Sequence, residues 1–222
     1  MPLTSNDMTR EVAANISRNP IPWDLVFQLY EQTNAYRNTQ QNGGQYSISH
    51  LKGLLTELAI RASLASVTWN YSGAIKIDPL LLDTESTTHK ISYKDFRLYV
   101  TDENSKRGDK SVCEIDISAT IDNLLVFFDV TLQSYDWRNI ENLVSDKRRR
   151  KLEEIAIAHG HSDFGYILIV PRETEGMHYP LIHPFEKKGG LVITLPTDKK
   201  EFIRKMKEEW EKRMKSDGAA KQ

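Results

Sequence analysis

Apolar positions along this chain repeat with two periods, one helical and one strand-like. Residues from about Asn6 to Arg18 and from Pro22 to Arg37 carry helical spacing, the second stretch presenting Trp23, Val26, Phe27 and Tyr30 after a proline entry. Ile48 to Leu64 is the clearest amphipathic helix, with Leu51, Leu54, Leu55, Leu58 and Ala62 on one stripe. Val67 to Leu82 and Ile91 to Thr101 predict strands around a polar loop at Thr84 to His89. Val112 to Ile121 and Leu124 to Leu132 are β-branched and aromatic runs joined by Asp122-Asn123, a pair that favours a tight turn and hence an antiparallel hairpin. Ile140 to Ala158 then predicts one helix, Phe164 to Val170 a buried strand, and Leu191 to Leu195 a short strand. A turn is expected at Glu173 to Gly176, and Asp198 to Met214 is a charged helix with Phe202, Met206 and Trp210 on one face. This order predicts an α+β (α/β) fold, a mixed sheet flanked by helices. Three segments follow: a helical layer and polar linker over 1–45, a core over 46–196, and a C-terminal helix and tail over 197–222.

Composition narrows the chemistry. The 222 residues hold 30 Lys and Arg against 31 Asp and Glu, so any polyanion site must be local rather than a global basic field. A single cysteine, Cys113, excludes a disulfide framework and a Cys-rich zinc site and suits a reducing compartment. Neither a signal peptide nor an apolar run of membrane-spanning length is evident, so a soluble intracellular protein is expected. The sequence carries no Gly-rich phosphate loop, nucleophile elbow or Cys-His pair, which counts against nucleotide hydrolases and acyl-transfer enzymes.

The hairpin is unusual in carrying acids within apolar strands. By alternation Glu114, Asp116 and Ser118 share one face, and Asp129, Thr131 and Gln133 share a face of the partner strand. An unpaired buried charge costs roughly several kcal/mol, so acids so placed are expected to meet a partner or a cation. On the helix of Ile48 to Leu64, His50, Glu57 and Arg61 stack along one flank. Projection of Ile140 to Ala158 as one continuous helix turns Lys147 and Lys151 inward and Arg149 outward. An inward lysine is an ion-pair partner, a catalytic group, or a snorkelling side chain. His159 and His161 read as helix-end caps or surface residues, and His178 and His183 match no metal spacing.

A helix acid, an acid at the start of a hairpin and a second strand acid thirteen residues later together resemble the PD-(D/E)xK nucleases, with Glu57, Asp116 and Asp129 in the acidic positions. Thr131 stands where most members have the catalytic lysine. Asp129-Val130-Thr131-Leu132 followed by Asp146-Lys147-Arg148 is similar to the branch that moves this lysine onto a helix, the cap-snatching endonucleases at the N-terminus of bunyavirus and arenavirus L proteins. The likeness spans about Ser47 to Val170 and is specific between Glu114 and Lys151. Ile115 departs from the proline that precedes the hairpin acid in family members.

The resemblance implies a metal-dependent endonuclease using one or two Mn²⁺ or Mg²⁺ ions. Asp116, Asp129, Glu57, His50 and the Val130 carbonyl would be ligands, Lys147 would be catalytic, and Thr131 and Lys151 would support it. Glu114 is an outer ligand or a solvated edge. Arg148, Arg149 and Arg150 would contact the RNA backbone. Oxygen-rich sites suit such hard cations, and a histidine tilts the preference toward Mn²⁺. The implied partners are single-stranded RNA, in particular capped host mRNA, and the rest of a viral RNA polymerase, in the host cytoplasm and the virion, with no membrane. Two alternatives stay open: a stand-alone DNA nuclease of the same fold, and a degenerate nuclease fold serving as a binding module.

Overall fold

The computed structural model describes residues 5–41, 48–71, 73–81, 89–102, 111–132, 137–174 and 179–219. The chain begins with α1 (Asp7–Arg18), capped by the Asn6 side chain, which accepts from the Thr9 N–H at 2.7 Å. The single helix expected from Pro22 is in fact two, α2 (Trp23–Glu31) and α3 (Asn34–Gln41). Thr33 makes the break: its hydroxyl donates to the Tyr30 carbonyl at 2.6 Å and accepts from the Tyr36 N–H at 3.0 Å, starting a new helix. Next, α4 (Ile48–Thr68) runs a turn beyond its predicted end, so most of the strand expected from Val67 is absent. Only β1 (Ile75–Ile77) is extended there, and Pro79–Leu81 form a 3₁₀ turn.

The run expected as one strand from Ile91 is instead a hairpin, β2 (His89–Lys94) and β3 (Arg97–Asp102). Asp95 and Phe96 at its tip both take positive φ, the geometry a tight two-residue turn demands. Likewise the long strand from Val112 is broken at Asp116 into β4 (Ser111–Ile115) and β5 (Ile117–Ile121). The predicted partner is β6 (Leu124–Val130), and Asp122 and Asn123 form the turn with φ of 49° and 63°.

Helix α5 (Trp137–Val144) and helix α6 (Asp146–Ala158) replace the continuous helix from Ile140. Ser145 separates them with extended backbone (ψ 149°) and caps α6, its hydroxyl accepting from the Arg148 N–H at 3.1 Å. Strand β7 (Phe164–Val170) matches its expected span, and β8 (Leu191–Thr194) follows α7 (Tyr179–Lys187), a helix the sequence pattern did not reveal because Pro184 lies inside it. Finally α8 (Lys199–Ala219) closes the chain.

The strands make two sheets, one ordered β1-β5-β6-β7-β8 and one ordered β2-β3-β4. In the larger sheet β1, β5 and β6 are antiparallel, while β6-β7 and β7-β8 are parallel. The fold is therefore α+β with a mixed central sheet. Both faces of that sheet are covered, which is why β6 and β7 read as unbroken apolar runs. Val126, Phe128, Ile167 and Ile169 face one core with residues of α1, α2, α4 and α8. Leu125, Phe127, Tyr166 and Leu168 face the other, with α5, α6, α7 and the smaller sheet. Val12, Ile16, Val26, Phe27 and Tyr30 of the N-terminal helices share the first core with Phe202, Met206 and Trp210 of α8, so both chain ends pack on the same sheet face. Among the described residues no helix is long and apolar enough to cross a membrane.

Candidate functional site

Asp116 occupies the corner where the chain leaves the smaller sheet and enters the larger one. Its Oδ2 accepts the Val130 N–H at 2.8 Å, tying the corner to the last residue of β6. The carboxyl keeps some surface open, yet the loss of solvent around it, followed by the charges of Asp129 and Glu57, pushes its pKa well above the usual carboxylate range. The three acids singled out in the sequence therefore do converge electrostatically.

Each of the other two acids already holds a guanidinium. Asp129 is 2% exposed. Arg148 grips it in a fork, with Nε at 2.9 Å from Oδ2 and Nη2 at 2.6 Å from Oδ1, and the Tyr166 hydroxyl donates to Oδ2 at 2.5 Å. Arg148 also donates to the Glu114 carbonyl and to Cys113 Sγ, both at 2.7 Å. Burial pushes the Cys113 thiol up to about 11, with the Arg148 charge opposing. Glu57 is held by Arg97 through Nε and Nη2, each at 2.5 Å, and Arg97 reaches Glu114 at 3.1 Å. Burial raises the Glu57 pKa while Arg97 opposes.

These acids approach from opposite sides. Asp129 follows the alternation of Leu125 and Phe127 toward α6, whereas Glu57 descends from α4 on the other face. Among the described residues no three His, Cys, Asp or Glu side chains are arranged to hold a metal ion. Asp129 and Glu57 lie close enough to Asp116 to raise its proton affinity, and carboxylate oxygens are the donors a hard cation takes. Two arginine forks stand where positive charge is required.

The inward orientation expected for Lys147 is not found. Lys147 is exposed, and Arg148 is the residue of the basic run that reaches Asp129. The cause is the break at Ser145, since restarting the helix changes its rotational phase and a projection carried through from Ile140 no longer applies. Lys151 is half-buried and lies near enough to lower the Cys113 pKa. Arg149 pairs with Asp146 and Glu153 along its own helix at 3.6 and 3.5 Å, and Arg150 is exposed. Thr131 is buried at the end of β6, its Oγ1 accepting from Asn139 Nδ2 at 3.1 Å. His50 lies on the first turn of α4, and its side chain falls outside the described residues, as does His178. His159 is the C-cap residue of α6.

Tyr166 and Arg97 were not singled out by the sequence pattern. Tyr166 carried a signal, since a phenol within an apolar strand needs a polar partner. Arg61, placed on the flank of Glu57 by helical projection, instead forms a buried pair with Asp78 and donates to the Phe96 carbonyl at 2.7 Å and the Asp116 carbonyl at 3.5 Å. Tyr93 adds a hydrogen bond to Asp78 at 3.2 Å. This network fixes the backbone of the corner on which Asp116 sits.

No protein-family model matches the chain, and no curated protein matches it. A solved structure, protein VC1899 from Vibrio cholerae, aligns with 93% of this chain at 13% identity and a TM-score of 0.32. The chain spans 58% of that protein's length.

Proposed function

We propose that the chain is a metal-dependent endonuclease acting on single-stranded RNA, with Asp116 at its centre and Asp129 and Glu57 beside it. The observation that carries this reading is the raised proton affinity of Asp116, caused by lost solvent and by two neighbouring carboxylates. A buried acid perturbed by desolvation together with specific charge partners is a candidate functional group. Asp116, Asp129 and the Val130 carbonyl would hold Mn²⁺ or Mg²⁺, with Glu57 reaching the same centre from α4. When bound, such an ion supplies Lewis acidity toward a phosphate and an activated water.

Within this reading Arg148 takes the part that the family resemblance gives to Lys147. Its guanidinium is planar and matches phosphate as well as carboxylate, so it can leave Asp129 for a phosphate oxygen on which charge develops. Tyr166 keeps its hydrogen bond to Asp129 and orients that carboxylate. Asn139 fixes the Thr131 hydroxyl at the mouth of the site. The narrower form of the proposal, a cap-snatching domain working on capped host mRNA within a viral polymerase, rests on the resemblance between Glu114 and Lys151.

A second reading draws on the arginine forks. With both oxygens of Asp129 and of Glu57 occupied by guanidinium groups, the fold would serve as a binding module without cleavage. A fluorogenic single-stranded RNA incubated with Mn²⁺ separates the two. Cleavage by the wild type, lost in Asp116→Asn and Arg148→Ala and kept in Lys147→Ala, supports the enzyme. Absence of metal-dependent cleavage of single-stranded RNA and of duplex DNA refutes it in favour of the binding module, and preference for duplex DNA favours a stand-alone DNA nuclease.

A further inference from the structure

Next to the carboxylate cluster lies a cleft of about 390 Å³, a volume within the range of small-ligand sites. Glu57, Val130 and Thr131 line it, so it adjoins the proposed centre. The same lining brings together Lys52 of α4 and Lys199 of α8, two cations far apart in sequence. Both are half-buried. Among the described residues no carboxylate pairs with either ammonium, in contrast to Arg97 and Arg148. Two half-buried lysines line one small cleft, with Glu57 already held by Arg97 and Glu173 accepting the Lys199 backbone N–H at 2.9 Å, in a chain whose net charge is only −1.

Gly53 lies beside Lys52 on the same wall. A glycine inside a helix is less favourable than alanine, because it loses more backbone freedom on folding. Packing does not require it, since a Cβ there would meet only the far end of Arg97, at 3.8 Å. The bare helix surface leaves room for a ligand backbone to come close. Leu132 and Ile203 add an apolar surface suited to the face of a base.

Resting on the nuclease reading, we infer that this cleft is the track of a single polynucleotide strand as it approaches the carboxylates. Lys52 and Lys199 each take one backbone phosphate, and Leu132 and Ile203 receive a base. A duplex does not enter so small a cleft, so the strand must be unpaired where it passes.

The test is equilibrium binding of a short labelled single-stranded RNA to the full chain in EDTA, followed by fluorescence anisotropy across about 50 to 200 mM salt. Each phosphate contact on a single strand contributes about 0.7 to the slope of log affinity against log salt. Lys52→Gln and Lys199→Gln are each expected to reduce that slope by about 0.7, and the double variant by about 1.4. Lys207→Gln, on an exposed turn of α8 outside the cleft, is expected to leave it unchanged, and thermal melts confirm that all variants fold. An unaltered slope in the double variant overturns the inference, as does an equal reduction in Lys207→Gln. Equally tight duplex binding through the same two lysines overturns the single-strand assignment. Because the readout is metal-free, lysine-dependent binding without any cleavage would retain the cleft and reject the enzyme, whereas cleavage abolished in Asp116→Asn with an unaltered slope would do the reverse.

Discussion

Replacing Arg148 with alanine isolates the guanidinium fork on Asp129. The guanidinium supplies both hydrogen bonds of the fork to Asp129 and two more to Cys113 and the Glu114 carbonyl, with side-chain exposures of 15% for Arg148 and 3% for Asp129. Removing one member of so enclosed a pair strands the other, a change that costs roughly 3–5 kcal/mol. Tyr166 continues to donate to Asp129 and moderates the loss toward the lower end. For a domain of this size about 2–4 °C of melting temperature accompanies each kcal/mol, so Arg148→Ala is expected to melt about 6–20 °C below wild type in EDTA.

Metal should then distinguish the variant from its parent. With Arg148 gone, Asp129 is free to ligate, and a cation at about 100 times its dissociation constant restores about 2.7 kcal/mol. Mn²⁺ is therefore expected to raise the melting temperature of Arg148→Ala more than that of wild type, where the arginine competes for the same carboxylate. Differential scanning fluorimetry with a Mn²⁺ titration reads both quantities. A loss below about 1 kcal/mol in EDTA would show that the fork does not hold Asp129. An equal Mn²⁺ shift in the two proteins would show that the arginine and the metal do not share a place.

Three further outcomes are expected. The Asp116 carboxyl binds its proton more tightly folded than unfolded, so its contribution to stability is full below about pH 4 and is lost as pH rises through its raised pKa. Urea midpoints of metal-free wild type and Asp116→Asn between pH 4 and 8 should therefore diverge, with only the wild type carrying this decline, and parallel profiles would refute the assignment. Arg61→Met leaves Asp78 buried without its cation and should cost about 3–5 kcal/mol by chemical denaturation, while adding Asp78→Asn, which removes the charge and tolerates the positive φ of 53° at that position, should recover part of that loss. Phe128→Ala empties a fully buried site between β6 and α4 and should cost about 3–5 kcal/mol, and a smaller effect would mean that the first core can collapse around the cavity.

Much of the fold was legible because local and tertiary signals agreed. The turn at Asp122-Asn123, the buried run of β7 and the stripe of Phe202, Met206 and Trp210 each stand where periodicity placed them. What escaped depended on single residues that stop an element. Thr33 and Ser145 both use their hydroxyls to begin a new helix, an effect invisible to a window of apolar spacing. Asp116 ends one strand and begins another, so its acid was visible but the change of sheet was not. In the site, the acids were readable from their apolar surroundings, whereas their partners Arg97, Arg148 and Tyr166 come from other elements and are set by three-dimensional packing.

The serine break between α5 and α6 also gives the basic run the character of a dial. Four consecutive cations, Lys147 to Arg150, sit about 100° apart around the helix axis, so only one of them can meet Asp129 for a given starting phase. Moving the cap by one residue, through a single insertion or deletion near Ser145, would exchange Arg148 for its neighbour without altering the sheet. The identity of the cation against the strand acid is thus set by where the helix is capped and is tunable in steps of one residue.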